Sequence, residues 1–305
     1  MKGCCAALLL LAWIPAWTRG AQPAPADPET ALPPARTEMP DKAAVPQPLL
    51  LKIAVNDIYC RKTACDCIGE IATRSYDTLL AKLQAKYHIT LEFTYYMEVF
   101  DLQKAVTGRQ FDGFLCKPWT VLQYSGTSDA RFKRVADIQD PANQALMHGV
   151  FLTLADSPLR ALAAVRGKRI ALGQGDSYEK NQAPLQLLAE KNIQPSEQLL
   201  FSSCGENLCA LMDGKVDVAV VSSYALTASC AVDFAKPEQF RTLAETTKMP
   251  LTSLLVDLKR VSLTDAARLQ RALLDLSGDK VPEDLLGRGF VPPVSWKPAL
   301  PSASR

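Results

Sequence analysis

Histidine is nearly missing. His88 and His148 are the only two in 305 residues, which argues against a histidine-based metal centre. Excess charge is missing too. The chain holds 34 basic and 32 acidic side chains, and without Lys2 and Arg19 of the N-terminal segment it holds 32 of each. So even a balance argues against nucleic acid or an anionic membrane as the main partner. Beyond the N-terminus no run is apolar enough to span a membrane. No short-period repeat of the solenoid kind is present. The "GQG" at 173–175 lacks the third glycine of a dinucleotide-binding turn.

What is present begins with "MKGCCAALLLLAWIPAWTRGAQPAPAD". Lys2 precedes an apolar core from Cys4 to Trp17, and small residues follow, which is the layout of a secretory signal peptide. The core is shorter than the ~20 residues a spanning helix needs, and Pro15 interrupts it. Cleavage after Gly20 suits the small Thr18 and Gly20, with Ala26 as the other site; an uncleaved anchor is the rival reading. Residues 1–20 are expected to be a signal peptide and 21–48 a flexible Ala/Pro-rich leader.

Cysteine is the unusual asset. Nine occur, and seven lie outside the N-terminal segment: Cys60, Cys65, Cys67, Cys116, Cys204, Cys209 and Cys230. In an exported protein disulfides are the default, and an odd number leaves at least one thiol free, metal-bound or shared between molecules. Cys65 and Cys67 are too close to pair comfortably with each other. Cys60 with Cys65 or Cys67 is feasible, as is Cys204 with Cys209, or either with Cys230. Three cysteines in "IYCRKTACDCIG" (58–69) close only small loops, which stabilise little. A thiolate site for a soft metal or metalloid is the alternative, with the next helix N-terminus lowering the thiol pKa. No other cofactor is indicated.

The hydrophobic pattern alternates strands and helices. "LLKIAV" reads as a strand, Ile68 to Leu83 as an amphipathic helix, "ITLEFTY" as an alternating strand. A helix through Val99, Leu102 and Val106 leads to the buried strand "FDGFLC". The rhythm returns with "KRIALG", a helix from Tyr178 to about Lys191, "LLFSS", a helix through Leu208 and Leu211, and the strand "VDVAVV". Asp112 and Asp217 start strands and read as structural turns. Two β-α-β-α-β halves imply an α/β protein with two mainly parallel sheets flanked by helices, and ligands near the carboxyl ends of the strands.

Three segments carry a family resemblance. "AVTGRQFDGFLCKPW", "VRGKRIALGQGDSYEKNQAPLQLLAEKNI" and "ALMDGKVDVAVVSSYAL" resemble, in order and spacing, the phosphonate- and phosphate-binding (PhnD-like) periplasmic solute-binding proteins of the type 2 periplasmic-binding fold, over roughly residues 50 to 280. The resemblance implies a two-lobed fold, with residues 49–151 plus 252–298 as lobe 1 and 152–251 as lobe 2. The C-terminal helix from about Thr264 to Leu276 is expected on the first lobe. It also implies a periplasmic location, a small-molecule or ion ligand closed between the lobes, an ABC permease or sensor kinase as partner, and a monomer. The loops after the first strand, after "FDGFLC" and at Ser202–Cys204 would face the cleft. Ligand-binding candidates are then Asp57, Tyr59, Cys60, Tyr96, Cys116, Lys117, Ser177, Tyr178, Ser203 and Cys204, with Tyr224 beside them. Trp119 reads as core. Cys60, Cys65, Cys67 and Cys116 are the candidate metal ligands. The family's second-lobe helix starts on a Ser/Thr-rich loop where this chain has "GQGDSYEKN". Ser177 and the helix-start amides suit an anion, whereas Asp176 and Glu179 oppose one, so a soft metal, a metalloid or an oxyanion stays open. The alternatives are a cleft-cysteine enzyme with Cys116 as nucleophile, or a periplasmic redox accessory protein.

Exported material is expected to begin between Ala21 and Asp27 on N-terminal sequencing. Material that keeps Met1 and partitions with membranes contradicts the signal.

Overall fold

The computed structural model describes residues 47–64, 72–125, 131–226 and 235–296. The expected signal peptide, nearly all of the leader, and Cys65, Cys67 and Cys230 lie outside the described residues.

The first sheet grows around β1 (Leu49–Val55). Side chains alternate across a strand, so Leu51, Ile53 and Val55 enter one core and Ala54 enters another on the opposite face. A strand buried on both faces needs the near-continuous apolar run found here. β2 (Ile89–Tyr95) and β3 (Gly113–Cys116) flank β1 in parallel. α1 (Asp77–Tyr87) and α2 (Val99–Gly108) make the crossovers, and α3 (Pro118–Ser125) starts two residues after β3. β4 (Phe132–Ile138) lies further along the sheet.

The chain then crosses through β5 (Leu146–Met147) into β6 (Gly149–Leu154) of the second sheet. There β7 (Arg169–Gly173), β8 (Glu197–Phe201) and β9 (Val218–Ser222) repeat the parallel trio, with α4 (Ala183–Glu190) and α5 (Cys204–Met212) between them. After β10 (Phe240–Glu245) the chain returns through β11 (Met249–Pro250), which pairs with β5, into β12 (Thr252–Asp257). The strand orders are β13-β4-β12-β3-β1-β2 and β10-β6-β9-β7-β8, with β13 at Phe290–Val291. In each sheet the strand beside the trio is antiparallel and is the one delivered by the crossing chain: β12 in the first, β6 in the second. That is the two-lobed arrangement the resemblance implies. α6 (Leu263–Asp275), N-capped by Ser262, buries Ala266, Leu269, Ala272 and Leu273 in the core it shares with Leu51 and Ile53 of β1 and Leu79 of α1.

The two trios share a device. Asp112, just before β3, accepts the Lys52 backbone N–H at 2.8 Å, and Asp217, just before β9, accepts that of Arg169 at 2.9 Å. Both turn aspartates are therefore structural, tying the third strand of each half to its first.

Of the helix expected over 68–83, residues 68–71 lie outside the described residues, 72–76 are not helical, and the helix runs from Asp77. Ala72 and Tyr76 are buried as their spacing suggests, yet Arg74 between them turns inward too. It forms a bridge with Cys60 and pairs with Asp57 at 2.7 Å, both side chains fully buried. Its Nε donates to Leu285 O at 2.7 Å and its Nη2 to Gln139 O. Asp57 also accepts from the Tyr76 hydroxyl at 2.8 Å. These bonds hold 72–76 out of helical geometry.

Removing one member of a buried ion pair leaves the other charge stranded. Arg74→Met is expected to cost about 3–5 kcal/mol, read as a lowered urea midpoint. A loss below about 1 kcal/mol would show that the pair is not what holds this corner.

Candidate functional site

The carboxyl ends of the parallel strands from the two sheets meet. Lys117, after β3, reaches across to Glu179, after β7: Nζ donates to Glu179 Oε1 at 2.7 Å. From the end of β9, the Ser222 hydroxyl donates to the same oxygen at 2.8 Å. Trp119 of α3 stacks on Tyr178 with ring centres 4.7 Å apart, and Tyr178 meets Trp296 at 5.7 Å. Gln123 Nε2 donates to Gly175 O at 3.2 Å. Two-sided contacts of this kind exclude water from the charges between them.

Glu179 is held inward by unusual backbone. Residues Tyr178–Gln182 form one π-helical turn that runs into α4; such turns are rare and cluster at functional sites. Two glycines make room for it. A Cβ at Gly149 would stand 1.9 Å from Glu179 O, and one at Gly173 would stand 2.6 Å from the Lys180 Cβ. The buried Asn181 side chain pins the turn by donating to Gly173 O at 2.7 Å.

The electrostatics follow from burial. Glu179 is fully buried. Burial alone would raise its pKa, but Lys117 and then Lys180 outweigh it and hold the carboxyl down to about 2. Lys180 is 8% exposed and its Nζ reaches Ser202 O at 3.5 Å, a long contact. Among the described residues no carboxylate lies within salt-bridge distance of Lys180. Burial, then Cys204 and Glu179, push the Tyr224 hydroxyl well up. Four polar atoms here are buried without a partner: Glu179 Oε2, Ser177 Oγ, Trp119 Nε1 and Gln123 Oε1. Buried polar groups are normally satisfied, so such a cluster is where a ligand's own groups would be welcome.

Beside this cluster, at the crossing strands, lies a cavity of about 830 Å³ walled by Tyr59 on one side and Ser223 and Tyr224 on the other, with His148, Asn143 and Lys248 on its rim. His148 Nε2 sits 3.3 Å from Glu245. Burial lowers its pKa against that carboxylate.

The structure brings together Lys117, Ser177, Tyr178 and Cys204, with Tyr59 packed in the same aromatic cluster as Tyr178. Cys204 Sγ lies 3.7 Å from Ser222 Oγ. Other candidates are placed elsewhere. Asp57 spends its oxygens on Arg74, Tyr76, the Tyr59 amide and Thr252. Tyr96 packs on Phe111. Ser203 caps α5 in a capping box with Glu206.

The thiols are dispersed. Cys60 is buried in the core against α1, whereas Cys116 is buried with α2 on the other face of the sheet, so these two do not share a ligand. Burial raises the pKa of both, opposite to a helix-activated thiol. Cys60, Cys116, Cys204 and Cys209 are free. The feasible Cys204–Cys209 pairing is not formed, because five residues apart on α5 one is buried and the other exposed. Among the described residues no three His, Cys, Asp or Glu side chains converge as a metal site. Missed by the sequence reading were Lys180, Ser222 and Gln123; Glu179 appeared only as an obstacle to anions. Strand-end position would have found Ser222. Trp119 is buried as expected, and its ring also lies between the sheets.

A family described as "ABC transporter, phosphonate, periplasmic substrate-binding protein" matches residues 70–294. Among solved structures, XAC2383 from Xanthomonas citri bound to ATP superposes with a TM-score of 0.60 at 14% identity, covering 81% of this chain and 91% of that one. PhnD1 from Prochlorococcus marinus in complex with methylphosphonate gives 0.56 at 10% identity, covering 81% and 93%. A binding protein component of an ABC phosphonate transporter from Pseudomonas aeruginosa gives 0.51 at 14%, covering 81% and 82%. At such identities the likeness is one of fold. No curated protein matches in sequence.

The Glu179 pKa sets an acid signature. A carboxyl whose pKa falls from 4.5 to about 2 on folding contributes stability that is present above 4.5 and lost as pH drops toward 2. The stability advantage of the native chain over Glu179→Gln is expected to shrink by about 3 kcal/mol across that window, as read by denaturant melts at each pH. A gap that stays constant across the window would remove Lys117 and Lys180 as the cause.

Proposed function

The chain belongs to the periplasmic substrate-binding proteins of phosphonate-type ABC transporters, and on that premise we propose that it captures a small oxyanion-bearing solute between its lobes and delivers it to the permease. Members of this family are transport components, not enzymes, and work in the periplasm. The same reading includes a cleaved signal at 1–20, a leader at 21–48, lobes at 49–151 plus 252–298 and 152–251, and action as a monomer.

One observation carries the choice of ligand. The contact between the halves sets a buried lysine, Lys180, and a half-buried one, Lys117, against the single carboxylate of Glu179, a formal excess of one positive charge. A buried charge without a counter-ion costs several kcal/mol, and an anion that supplies it is bound in proportion. Ser177 Oγ and Trp119 Nε1 are further buried donors without a partner, Trp119 lying on Tyr178 across the contact between the halves. The cavity between Tyr59 and Tyr224 has a volume suited to a small solute. A soft metal or metalloid draws no support from the described thiols, since Cys60 and Cys116 lie on opposite faces of the first sheet. A nucleophilic role for Cys116 is opposed by the burial that keeps its thiol protonated.

Methylphosphonate, phosphate or a sulfonate is expected to raise the melting temperature of the mature protein, as any ligand confined to the folded state does. Lys180→Met is expected to weaken that binding about tenfold or more in calorimetry, close to the worth of one charge-assisted contact. If none of these anions shifts the melting curve or gives heat at millimolar concentration, the oxyanion reading is wrong.

A further inference from the structure

We propose that the chain latches its own lobes: Tyr178 of the second half is gripped between Trp119 and Trp296 of the first, so the protein rests with its lobes touching and a solute enters only when this latch opens. The inference goes beyond solute capture, since it concerns the resting chain and holds whichever solute is carried.

Both tryptophans belong to the half built on the first sheet, and they reach Tyr178 by separate routes. Trp119 stands on α3, after β3, with its ring centre 4.7 Å from that of Tyr178. Trp296 arrives on the C-terminal segment. That segment is fastened to the first sheet: β13 pairs with β4, the Val294 N–H donates to Asp137 Oδ2 at 2.8 Å, and Arg134 Nη1 donates to Val294 O at 3.0 Å. Just beyond this anchor Trp296 meets Tyr178 edge-to-face at 5.7 Å. Tyr178 itself is fixed by its π-helical turn, which Asn181 pins to Gly173 O at 2.7 Å. A rigidly held ring of one lobe thus sits between two rings carried by the other.

The surroundings of the grip are apolar. Met147 and Met249, one from each crossing strand, are buried in one cluster with Tyr59, Trp119, Tyr178 and Ala183. Elsewhere along the contact, Tyr224 of the second half packs with Ala64 and Ala72 of the first. All these contacts are made by the chain's own side chains. Magnitudes decide which of them does the holding. Parting the lobes returns Lys117 and Glu179 to water, and a buried ion pair gains about as much from hydration as from its partner. That pair sets the register of the lobes more than their adhesion. The rings regain nothing in water. An aromatic side chain buries about 150–250 Å², and Trp119 and Tyr178 are 1% and 3% exposed, so parting bares apolar surface with no polar compensation. A solute admitted only while the lobes are parted binds with its intrinsic affinity reduced by the parted fraction.

The chain carries its own reporter. With the expected signal removed, Trp119 and Trp296 are the two tryptophans left of four. The Trp119 indole N–H is buried with no hydrogen-bond partner among the described residues. Burial alone therefore protects it from solvent exchange, and its exchange rate reads the parted fraction. The test uses the full mature chain, unfolded and refolded by dialysis to remove any carried solute. Indole and amide exchange are followed by NMR, and lobe separation by small-angle scattering. The native chain is expected to show a protected Trp119 indole and the radius of gyration of touching lobes. Trp296→Ala, near the chain end, and Tyr178→Ala are each expected to speed Trp119 exchange about tenfold, close to the worth of one aromatic contact. The amides of α6, in the core of the first half, are expected to keep their native rates. A native chain whose Trp119 indole exchanges as fast as free tryptophan, or whose scattering shows parted lobes, would overturn the latch without any variant. So would variants whose Trp119 exchange stays at the native rate, or rises equally in α6, since the rings would then stabilise the fold and not the contact.

Discussion

One guanidinium ties the corner where the chain passes between its halves. Arg74 is fully buried, and its nitrogens bond Asp57 after β1, Gln139 O where the chain leaves β4, and Leu285 O in the C-terminal segment. Three segments far apart in sequence are held by one planar fork, the geometry for which arginine is suited and lysine is not. The consequence reaches the cavity at the crossing strands. Asp57 Oδ1 accepts the Tyr59 amide, and Tyr59 is one of the cavity's walls. The α1 helix starts late for the same reason, since Arg74 and Tyr76 must first deliver their donors to Asp57. A local helical preference at 72–76 gives way to a buried charge that would otherwise stand alone.

The molecule thus holds two buried ion pairs of opposite character. Asp57–Arg74 is saturated: both carboxylate oxygens and the bonding nitrogens have partners. Such a pair fixes geometry. Lys117–Glu179 is left incomplete, with one carboxylate oxygen unpaired and a second lysine nearby. Incomplete networks are destabilising in the free protein, and they are tolerated where a ligand completes them. Saturation separates the two acidic residues more clearly than burial does, since both are fully buried.

Much of the fold was legible because periodicity and strand-end logic report on backbone and core. β1, β2, β3, β7, β8 and β9 and the helices at 99–108 and 204–212 lie where apolar spacing puts them. β4 was not readable, because Lys133, Arg134 and Asp137 interrupt its apolar pattern and are accommodated by long-range partners such as Ser253 and the Val294 amide. The site was half legible. Lys117, Ser177, Tyr178 and Cys204 follow from the ends of parallel strands, but a sequence gives no sign of which charges will meet across a gap between halves. Asp57 looked like a ligand group because nothing nearby in sequence announces that Arg74 will consume it. Glu179 looked like an obstacle because its neutralisation by Lys117 is sixty-two residues away. The cysteines misled through proximity. Cys116 ends β3, where alternation turns it away from Leu115 into the core with α2, whereas Cys60 lies in the turn after β1 and packs into the core with α1.

The position of the incomplete pair couples recognition to the meeting of the lobes. Lys117 belongs to the first half and Glu179, Lys180 and Ser222 to the second, so this charge network exists only where both halves contribute. Trp119 against Tyr178 seals the same contact with apolar surface, lowering the local dielectric in which those charges act. A ligand bound there gains contacts from both sides and favours the state in which they touch by its difference in affinity for the touching and parted states, and by no more than that. A solute gripped by one half alone would bind without drawing the halves together. Lys117, Glu179 and Ser222, which join the lobes, are therefore one network, and a change that alters the charge of Glu179 acts on the lobe contact directly.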